Sequence, residues 1–279
     1  MIDRDAVITS RQNATVKRVC ALSDKKARES EKLFRFDGVK LLLEAAACGV
    51  EIKRVFVRES SAEALEARIS DALRHTEGAV LACVADHVFE KMTEEKSPEG
   101  VITVAKYIDK FHKSVTINNK SEFFEIGESV MLLESIRDPG NLGTMIRSAA
   151  ALGIDRLVLS SDCADIYNAK TIRAAMGGLF RMRIDRLCGT TMADYVRAVR
   201  ERGTRVLAAA LDDSAAVLGD VSLCRGDCVV IGNEGHGLTD ETVAACDASI
   251  IIPMEKGCES LNAAAAAVIF MWEIRRANK

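Results

Sequence analysis

The sequence has 279 residues, of which 48% are hydrophobic and 28% are charged, and its formal net charge is −3. This apolar content can bury a substantial core, which excludes a disordered or low-complexity chain, and no run of about 18 uncharged apolar residues predicts a membrane-spanning helix. Because 38 Lys and Arg face 41 Asp and Glu, the total charge also argues against a strongly basic nucleic-acid-binding protein.

The first hundred residues alternate between helical and strand-like patterns. Amphipathic helices are predicted at 16–22, 38–47, 62–73 and 87–92, and strands at 55–57, 78–85 and 101–107. These elements predict a small α/β domain over residues 1–105. Residues 106–127 are polar, lack a clear period and are interpreted as a linker.

The second half alternates strictly between strands and helices. Strands are predicted at 129–135, 156–161, 179–184, 204–211, 228–232 and 249–254, and helices at 142–152, 167–176, 192–201, 241–246 and 261–276. Residues 128–279 therefore form a second predicted domain, an α/β fold with a parallel sheet and helices on both faces. In such sheets ligands bind in the loops after the carboxyl ends of the strands, and three of those loops are unusual here.

The loop after the first of these strands contains an unusual arginine. Pro139 to Asn141 predict a turn, and Arg147 follows in the next helix among small apolar residues. A cation near a helix start is mildly unfavourable, so this position favours an arginine that binds a phosphate or an anionic oxygen. An ordinary surface arginine remains the alternative.

The other two loops follow the last two strands. Gly232, Gly235 and Gly237 indicate close backbone contact with a ligand, although neither the dinucleotide fingerprint nor a Walker loop is present. In the last loop Ser260 is the expected helix N-cap and Asn262 follows in the first turn, before five consecutive alanines.

Together the three loops resemble motifs one to three of the SpoU (TrmH-type) RNA ribose methyltransferases, within the SPOUT class. Motif one corresponds to Asn141, Gly143 and Arg147, motif two to Gly232, Asn233, Glu234, Gly235, Gly237 and Leu238, and motif three to Ile252, Pro253, Met254, Gly257, Glu259, Ser260, Leu261 and Asn262. The match spans about 129–276. It departs from many relatives in the spacing of Gly257 and in the alanine run.

The resemblance implies a deep C-terminal trefoil knot, S-adenosylmethionine as the cofactor, methylation of an RNA ribose 2′-hydroxyl, and a homodimer formed through the methyltransferase domain. The implied cofactor-binding positions are Gly232, Asn233, Gly235, Ile252, Met254 and Leu261. The implied catalytic residues are Asn141, Arg147, Glu234, Ser260 and Asn262. A guanidinium is essentially always protonated, so we expect Arg147 to bind the adjacent phosphate and the developing oxyanion rather than to act as a base.

The N-terminal domain resembles the L30e-like substrate-binding domain that precedes many such methyltransferase domains. Residues 1–58 carry 13 basic and 8 acidic side chains, whereas residues 59–110 carry 6 and 11, so the overall charge conceals a local basic region. The predicted RNA-binding stripe comprises Lys17, Arg18, Lys25, Lys26, Arg28, Lys32 and Arg35. A solvated helix face is the alternative.

The remaining expectations concern partners, metals and location. Ribosomal RNA is favoured over transfer RNA as the substrate, and the competing hypothesis is a catalytically inactive, knotted RNA-binding module. The cysteines and histidines lack metal-ligand spacing, so we expect no bound metal. Scattered free thiols, with no apolar signal-peptide segment near the N-terminus, predict a cytoplasmic protein.

Overall fold

The computed structural model describes residues 6–74, 76, 78–117, 123–212, 215–233, 235–255, 257 and 260–277. The chain divides into two compact units. The N-terminal unit runs to Ile108 and also contains Tyr167–Phe180, and the C-terminal unit contains the remainder. Within the described residues, no helix has the length and apolarity needed to cross a lipid bilayer.

The N-terminal unit is built on a mixed four-stranded sheet. Its strands are β1 (Leu33–Asp37), β2 (Ile52–Arg58), β3 (Val80–Val84) and β4 (Val101–Lys106). Its helices are α1 (Ala14–Ala21), α2 (Lys25–Glu31), α3 (Val39–Ala47), α4 (Ala62–Leu73), α5 (Asp86–Met92) and α7 (Ala169–Ala175). The strand order is β1-β4-β2-β3, in which β2 and β3 are parallel and β4 is antiparallel to both of its neighbours.

Aromatic packing explains why Tyr167–Phe180 belongs to the N-terminal unit. The Tyr167 ring stacks on Tyr107 at 4.1 Å and lies 4.6 Å from Phe34, between ring centroids. The Tyr167 hydroxyl accepts a hydrogen bond of 2.7 Å from the Ile108 backbone N–H. The contiguous domain boundaries predicted from the sequence differ from this division, because they assign this segment to the second domain.

The C-terminal unit contains an eight-stranded sheet. Its strands are β5 (His112–Val115), β6 (Val130–Leu133), β7 (Arg156–Leu159), β8 (Arg183–Leu187), β9 (Val206–Ala209), β10 (Ala216–Val217), β11 (Cys228–Ile231) and β12 (Ala248–Ile251). Its helices are α6 (Pro139–Leu152), α8 (Met192–Arg200), α9 (Asp240–Ala245) and α10 (Ala263–Ala277). The strand order is β10-β12-β9-β11-β6-β7-β8-β5 and every pairing is parallel, which confirms the predicted parallel sheet.

Two local differences from the sequence-based expectation concern β5 and α6. β5 lies in the range predicted as a linker, since its backbone pairs with β8 even though only Val115 of its four residues is buried. α6 begins at Pro139, three residues earlier than expected, because Asp138 caps the helix and Pro139 fits its first position. The Pro-Gly-Asn sequence is therefore the first turn of the helix.

The central strands place the loops that follow them at one edge of the sheet. All four residues of β6 and of β11 are buried, as expected for strands covered on both faces. α6 packs against α10, which also contacts β11, and α8 packs against α9. The carboxyl ends of β6, β9, β11 and β12 consequently converge.

Candidate active site

A pocket of about 870 Å³ lies at the carboxyl ends of β9, β11 and β12. Its wall consists of the last residues of these three strands, the loops that follow them, one face of α9 and the first turns of α10. All six positions implied for cofactor binding line it, namely Gly232, Asn233, Gly235, Ile252, Met254 and Leu261. Ser260 also lines this pocket, together with His236 and Asp240, which the sequence analysis did not single out.

The loop after β11 is closed tightly on itself. The Asn233 and Gly237 backbones exchange two hydrogen bonds of 3.0 and 2.9 Å, and Asn233 Oδ1 accepts a third, of 2.8 Å, from the Gly235 N–H. A Cβ on Gly232 would lie 2.3 Å from the Gly237 carbonyl carbon and 2.5 Å from the Leu238 nitrogen. Glycine is therefore required at position 232 by close approach of the backbone.

Motif one lies on α6. Because this helix begins at Pro139, Arg147 falls in its third turn, with its side chain exposed. Among the residues that the structure describes, Arg147 has no hydrogen-bond or ion-pair partner. Its guanidinium is thus available to an external anion.

Motif three is joined to motif one by a pair of asparagines. Asn262 Nδ2 donates a hydrogen bond of 3.1 Å to Asn141 Oδ1. Asn262 Oδ1 accepts from the backbone N–H groups of Ala264 at 2.9 Å and Ala265 at 3.2 Å, so Asn262 caps α10. The prediction that Ser260 is the N-cap was therefore wrong, because the helix starts at Ala263 rather than Leu261.

The structure brings some of the implied catalytic residues together and leaves others apart. Asn141 and Asn262 are in contact, and Ser260 lines the pocket. Arg147 does not line the pocket. Glu234 of motif two, like Glu259 of motif three, lies outside the described residues.

Glu134 is a contributor that the sequence analysis missed. It directly follows β6 and is 6% exposed. Its carboxylate accepts hydrogen bonds from the Thr239 N–H at 3.0 Å, the Thr239 hydroxyl at 3.2 Å and the Thr242 hydroxyl at 2.7 Å. The only signal for it in the sequence was a lone carboxylate at the end of an apolar strand. Burial of an unpaired charge is costly, so such a carboxylate must have hydrogen-bond partners in the fold.

The basic stripe predicted in the N-terminal unit is only partly exposed. Arg28 and Arg35 are 3% and 6% exposed, which corrects the prediction that they face RNA. Arg28 Nη1 donates to the carbonyls of Leu22 at 2.8 Å and Ser23 at 2.7 Å, so it closes the turn between α1 and α2. Arg35 donates to the Met92 carbonyl and pairs with the Glu94 carboxylate.

The other members of the stripe are exposed. Lys17 and Arg18 are on α1, Lys25 and Lys26 are on α2, and Lys32 follows α2. Arg18 pairs with Glu31 at 2.6 Å and Lys25 with Glu29 at 3.7 Å, so part of this charge is neutralised locally. Within the described ranges, no cluster of three or more His, Cys, Asp or Glu side chains could hold a metal ion.

Comparison with known proteins agrees with this geometry. A model of the SpoU rRNA methylase family matches residues 128–272. The chain belongs to this family. A model of the MRM3-like substrate binding domain matches residues 13–103, which confirms the expectation of a substrate-binding domain ahead of the methyltransferase domain.

Two of the following three relatives match over nearly their whole length, and the third matches over about half of it. The chain is 29% identical to the 23S rRNA (guanosine(2553)-2'-O)-methyltransferase RlmP of Bacillus subtilis, covering 96% of this chain and 98% of the relative. It is 34% identical over 148 residues to a 23S rRNA (uridine(2479)-2'-O)-methyltransferase of Streptomyces viridochromogenes, covering 52% of each chain. A crystal structure of an AdoMet-bound rRNA methyltransferase from Sinorhizobium meliloti superposes with a TM-score of 0.81 at 28% identity, covering 99% of this chain and 98% of that one.

Proposed function

We propose that this protein transfers a methyl group from S-adenosylmethionine to a ribose 2′-hydroxyl of ribosomal RNA. The observation that carries the proposal is the convergence of motifs two and three on one pocket, with motif one joined to motif three through Asn141 and Asn262. The relatives named as 23S rRNA 2′-O-methyltransferases support the reaction and the ribosomal substrate.

The pocket fits S-adenosylmethionine in size and in chemistry. Its volume of about 870 Å³ is in the range of small-molecule sites, and its wall combines aliphatic side chains with backbone groups of glycine-containing loops. The positions proposed to hold the cofactor are Gly232, Asn233, Gly235, Ile252, Met254 and Leu261. When bound, this cofactor supplies an activated methyl group on a sulfonium. The AdoMet-bound relative from Sinorhizobium meliloti supports this assignment.

The protein's own task is to orient the ribose and to stabilise the oxygen as its proton leaves. Arg147 is exposed and has no partner in the described part of the chain, so its planar guanidinium can bind a phosphate oxygen and the developing oxyanion together. A permanently protonated guanidinium cannot accept a proton, so Arg147 is not assigned as the base. Asn141, Asn262 and Ser260 orient the substrate, and Glu234 is proposed to hold Arg147 or the ribose.

RNA binding is proposed to involve the exposed lysines of the N-terminal unit. Lys17 and Lys26 are exposed on α1 and α2, and Lys32 follows them. Such cations neutralise backbone phosphates and make affinity dependent on salt. The match to a substrate binding domain over residues 13–103 supports this role.

Three further properties are proposed, the first two from the family resemblance and the third from the scattered cysteines of the sequence. The C-terminal part of the chain forms a trefoil knot, and the contacts of α10 with α6 and β11 are compatible with such threading. The protein forms a homodimer through the C-terminal unit, where Trp272 of α10 is 51% exposed and suited to an interface. The protein is cytoplasmic. Light scattering during size-exclusion chromatography tests the homodimer directly.

The decisive experiment measures methyl transfer from labelled S-adenosylmethionine into ribosomal RNA, followed by mapping of 2′-O-methylation in cells with and without the gene. Calorimetric binding of S-adenosylmethionine without transfer to any RNA would favour the inactive RNA-binding module. Absence of both binding and transfer would overturn the proposed function.

Arg147→Lys tests the role of the guanidinium. This variant keeps the charge but loses the two-pronged donor geometry, so we expect kcat to fall by about 100-fold or more while cofactor binding is unchanged. Arg197→Lys is the matched control, because Arg197 is an exposed arginine on α8 that pairs with Asp194 at 2.7 Å. Near-normal turnover of Arg147→Lys would exclude the proposed phosphate and oxyanion role.

A further inference from the structure

Two adjacent residues at the end of β6 hold both ends of the loop that carries motif two. Glu134 accepts hydrogen bonds from Thr239 and Thr242 beyond the loop. The Ser135 carbonyl accepts a hydrogen bond of 2.8 Å from Asn233 Nδ2, at the start of the loop. The position of this pocket wall therefore depends on residues outside the three motifs.

Ser135 makes this contact from an unusual backbone conformation. Its φ is 57°, in the left-handed region that residues other than glycine rarely adopt. This conformation persists only where surrounding interactions hold it.

Those interactions come from the loop after β7. Ser135 Oγ donates to Asp162 Oδ2 at 2.6 Å, and the Ser135 N–H donates to Ser160 Oγ at 2.8 Å. Ser160 Oγ in turn donates to Asp162 Oδ1 at 2.6 Å. Asp162 thus holds Ser135 in its left-handed conformation directly through Oδ2 and, through Ser160, indirectly from Oδ1.

The restraint passes from Ser135 to the pocket through Asn233. Asn233 donates to Ser135 through Nδ2, accepts from Gly235 through Oδ1, and is bonded to Gly237 through its backbone. Asn233, Gly235 and Gly237 all line the pocket. A change in the Ser135 carbonyl direction would therefore move the pocket wall without altering any residue that touches the ligand.

We propose that Ser135 and Asp162 are positioning residues, which act through Asn233 to hold the motif-two loop in the shape that binds S-adenosylmethionine. The proposal rests on the proposed function. It predicts that these residues influence cofactor binding more than the chemical step, since neither lines the pocket.

The test compares Asp162→Asn, Ser135→Ala and Ser135→Gly with wild type, using calorimetry with S-adenosylmethionine and steady-state methyl transfer. Asp162→Asn and Ser135→Ala remove acceptor charge or the hydroxyl while the left-handed strain remains, so we expect Kd and KM for the cofactor to rise by about tenfold with kcat within about threefold. Ser135→Gly adopts a φ of 57° without strain and should recover most of the affinity.

Asp155→Asn is the matched control. Asp155 accepts a hydrogen bond of 2.8 Å from the Ser129 N–H, so this pair flanks β6 and β7 as Ser135 and Asp162 do, but at the opposite edge of the sheet. A generally structural role would lower the melting temperature of both aspartate variants. In that case the KM of Asp162→Asn would not change more than its kcat. If Asp162→Asn does not fold, the contrast between Ser135→Ala and Ser135→Gly decides alone.

The possible outcomes are distinct. Wild type that neither binds S-adenosylmethionine nor methylates RNA overturns the proposed function and this inference with it. If wild type binds S-adenosylmethionine normally and the variants have an unchanged KM for it, only the positioning role is overturned. Equal loss in Ser135→Ala and Ser135→Gly contradicts the role of the left-handed conformation.

Discussion

The two edges of the eight-stranded sheet use polar residues in opposite ways. At the amino edge, residues that precede the strands bind one another. Asp247 precedes β12 and accepts a hydrogen bond of 2.8 Å from the Val206 N–H of β9. Arg205 precedes β9 and donates from Nε to Asp227, which precedes β11, at 2.9 Å.

The same edge contains a largely buried charge network. Arg156 at the start of β7 donates to Glu128 at 3.0 Å and to Asp185 at 2.7 Å. Arg183 at the start of β8 also pairs with Glu128, at 3.0 Å. Asp185 has no exposed surface. Burial raises the pKa of Asp185 even though Arg156 opposes this shift, so the ion pair is needed to keep a charge there.

At the carboxyl edge, polar groups are held in position but are not all paired with one another. Glu134 and Ser135 restrain the motif-two loop, and the Asn141–Asn262 pair joins two motifs. Arg147 has no partner among the described residues. Pairing at one edge therefore stabilises the fold, whereas at the other edge Arg147 is available for the substrate-binding role proposed for it. Four experiments test this distinction between the two edges.

The largest effect is expected at the amino edge. Arg156→Met leaves the buried Asp185 without its cation, so the free energy of unfolding should fall by about 3–5 kcal/mol. The loss should be smaller at acid pH, where Asp185 is neutral. Urea unfolding measures both. Cofactor affinity of the folded variant should stay within about twofold, and a large change in that affinity would contradict the division between edges.

Gly232→Ala should have the next largest effect, at the carboxyl edge. The new Cβ would meet backbone atoms of Gly237 and Leu238, and displacing backbone costs about 1–3 kcal/mol. We expect cofactor affinity to fall at least as much as stability does. Thermal unfolding of Gly235→Ala is the control for stability alone, because its nearest new contact is an Asn233 side-chain oxygen at 3.4 Å. Normal cofactor binding by Gly232→Ala would contradict the assigned pocket.

Asn262 combines both kinds of role, and two substitutions separate them. Asn262→Ala removes the α10 cap and should lower stability by about 1 kcal/mol. Both variants lose the contact with Asn141, so both should have a lower kcat than wild type. Asn262→Ser can still cap the helix, so its stability should return to the wild-type level while its kcat does not. Chemical unfolding and methyl-transfer kinetics distinguish the two. Recovery of kcat in the serine variant would show that capping is the sole role of Asn262.

The smallest effect is a pH dependence. Burial would raise the pKa of Asp162, but hydrogen bonds from Ser135, Ser160 and Arg137 outweigh it and hold the pKa below its ordinary value of 3.8. A depressed folded-state pKa contributes stability above that ordinary value and loses it as the pH falls through the folded-state pKa. The stability difference between wild type and Asp162→Asn should therefore be full at neutral pH and shrink as the pH falls below 3.8, through the folded-state pKa. A difference independent of pH would show that the carboxylate charge is unimportant.

The parallel sheet and a pocket at the carboxyl ends of its strands could be predicted because their signals are local, whereas the individual cofactor-binding positions came from the family resemblance. Apolar runs mark buried strands, and the glycines after β11 mark a tight loop at a known edge of the sheet. β5 was missed because three of its four residues are polar or exposed and only its pairing with β8 makes it a strand. α2 was missed because its seven residues carry almost only charges and no apolar period.

Side-chain environments were harder to predict than elements. Charge counts treat Arg28 and Lys26 alike, although Arg28 donates to backbone carbonyls inside the N-terminal unit and Lys26 is exposed. Ser260 and Asn262 are both good N-cap residues, and only the true start of α10 decides between them. Ser135 gave no signal, because its backbone conformation depends on Asp162, which is remote in sequence.

The position of Tyr167–Phe180 in the N-terminal unit also bears on how this protein can be divided or recombined. The chain contributes to that unit twice, and Tyr167 and Phe180 pack there on Phe34 and Phe36. Cutting after Ile108 would therefore strip aromatic partners from one fragment and leave an apolar segment exposed on the other. The substrate-binding unit therefore cannot be separated by a single cut in the chain. Exchange of such domains between relatives requires two separate stretches of sequence to be exchanged together.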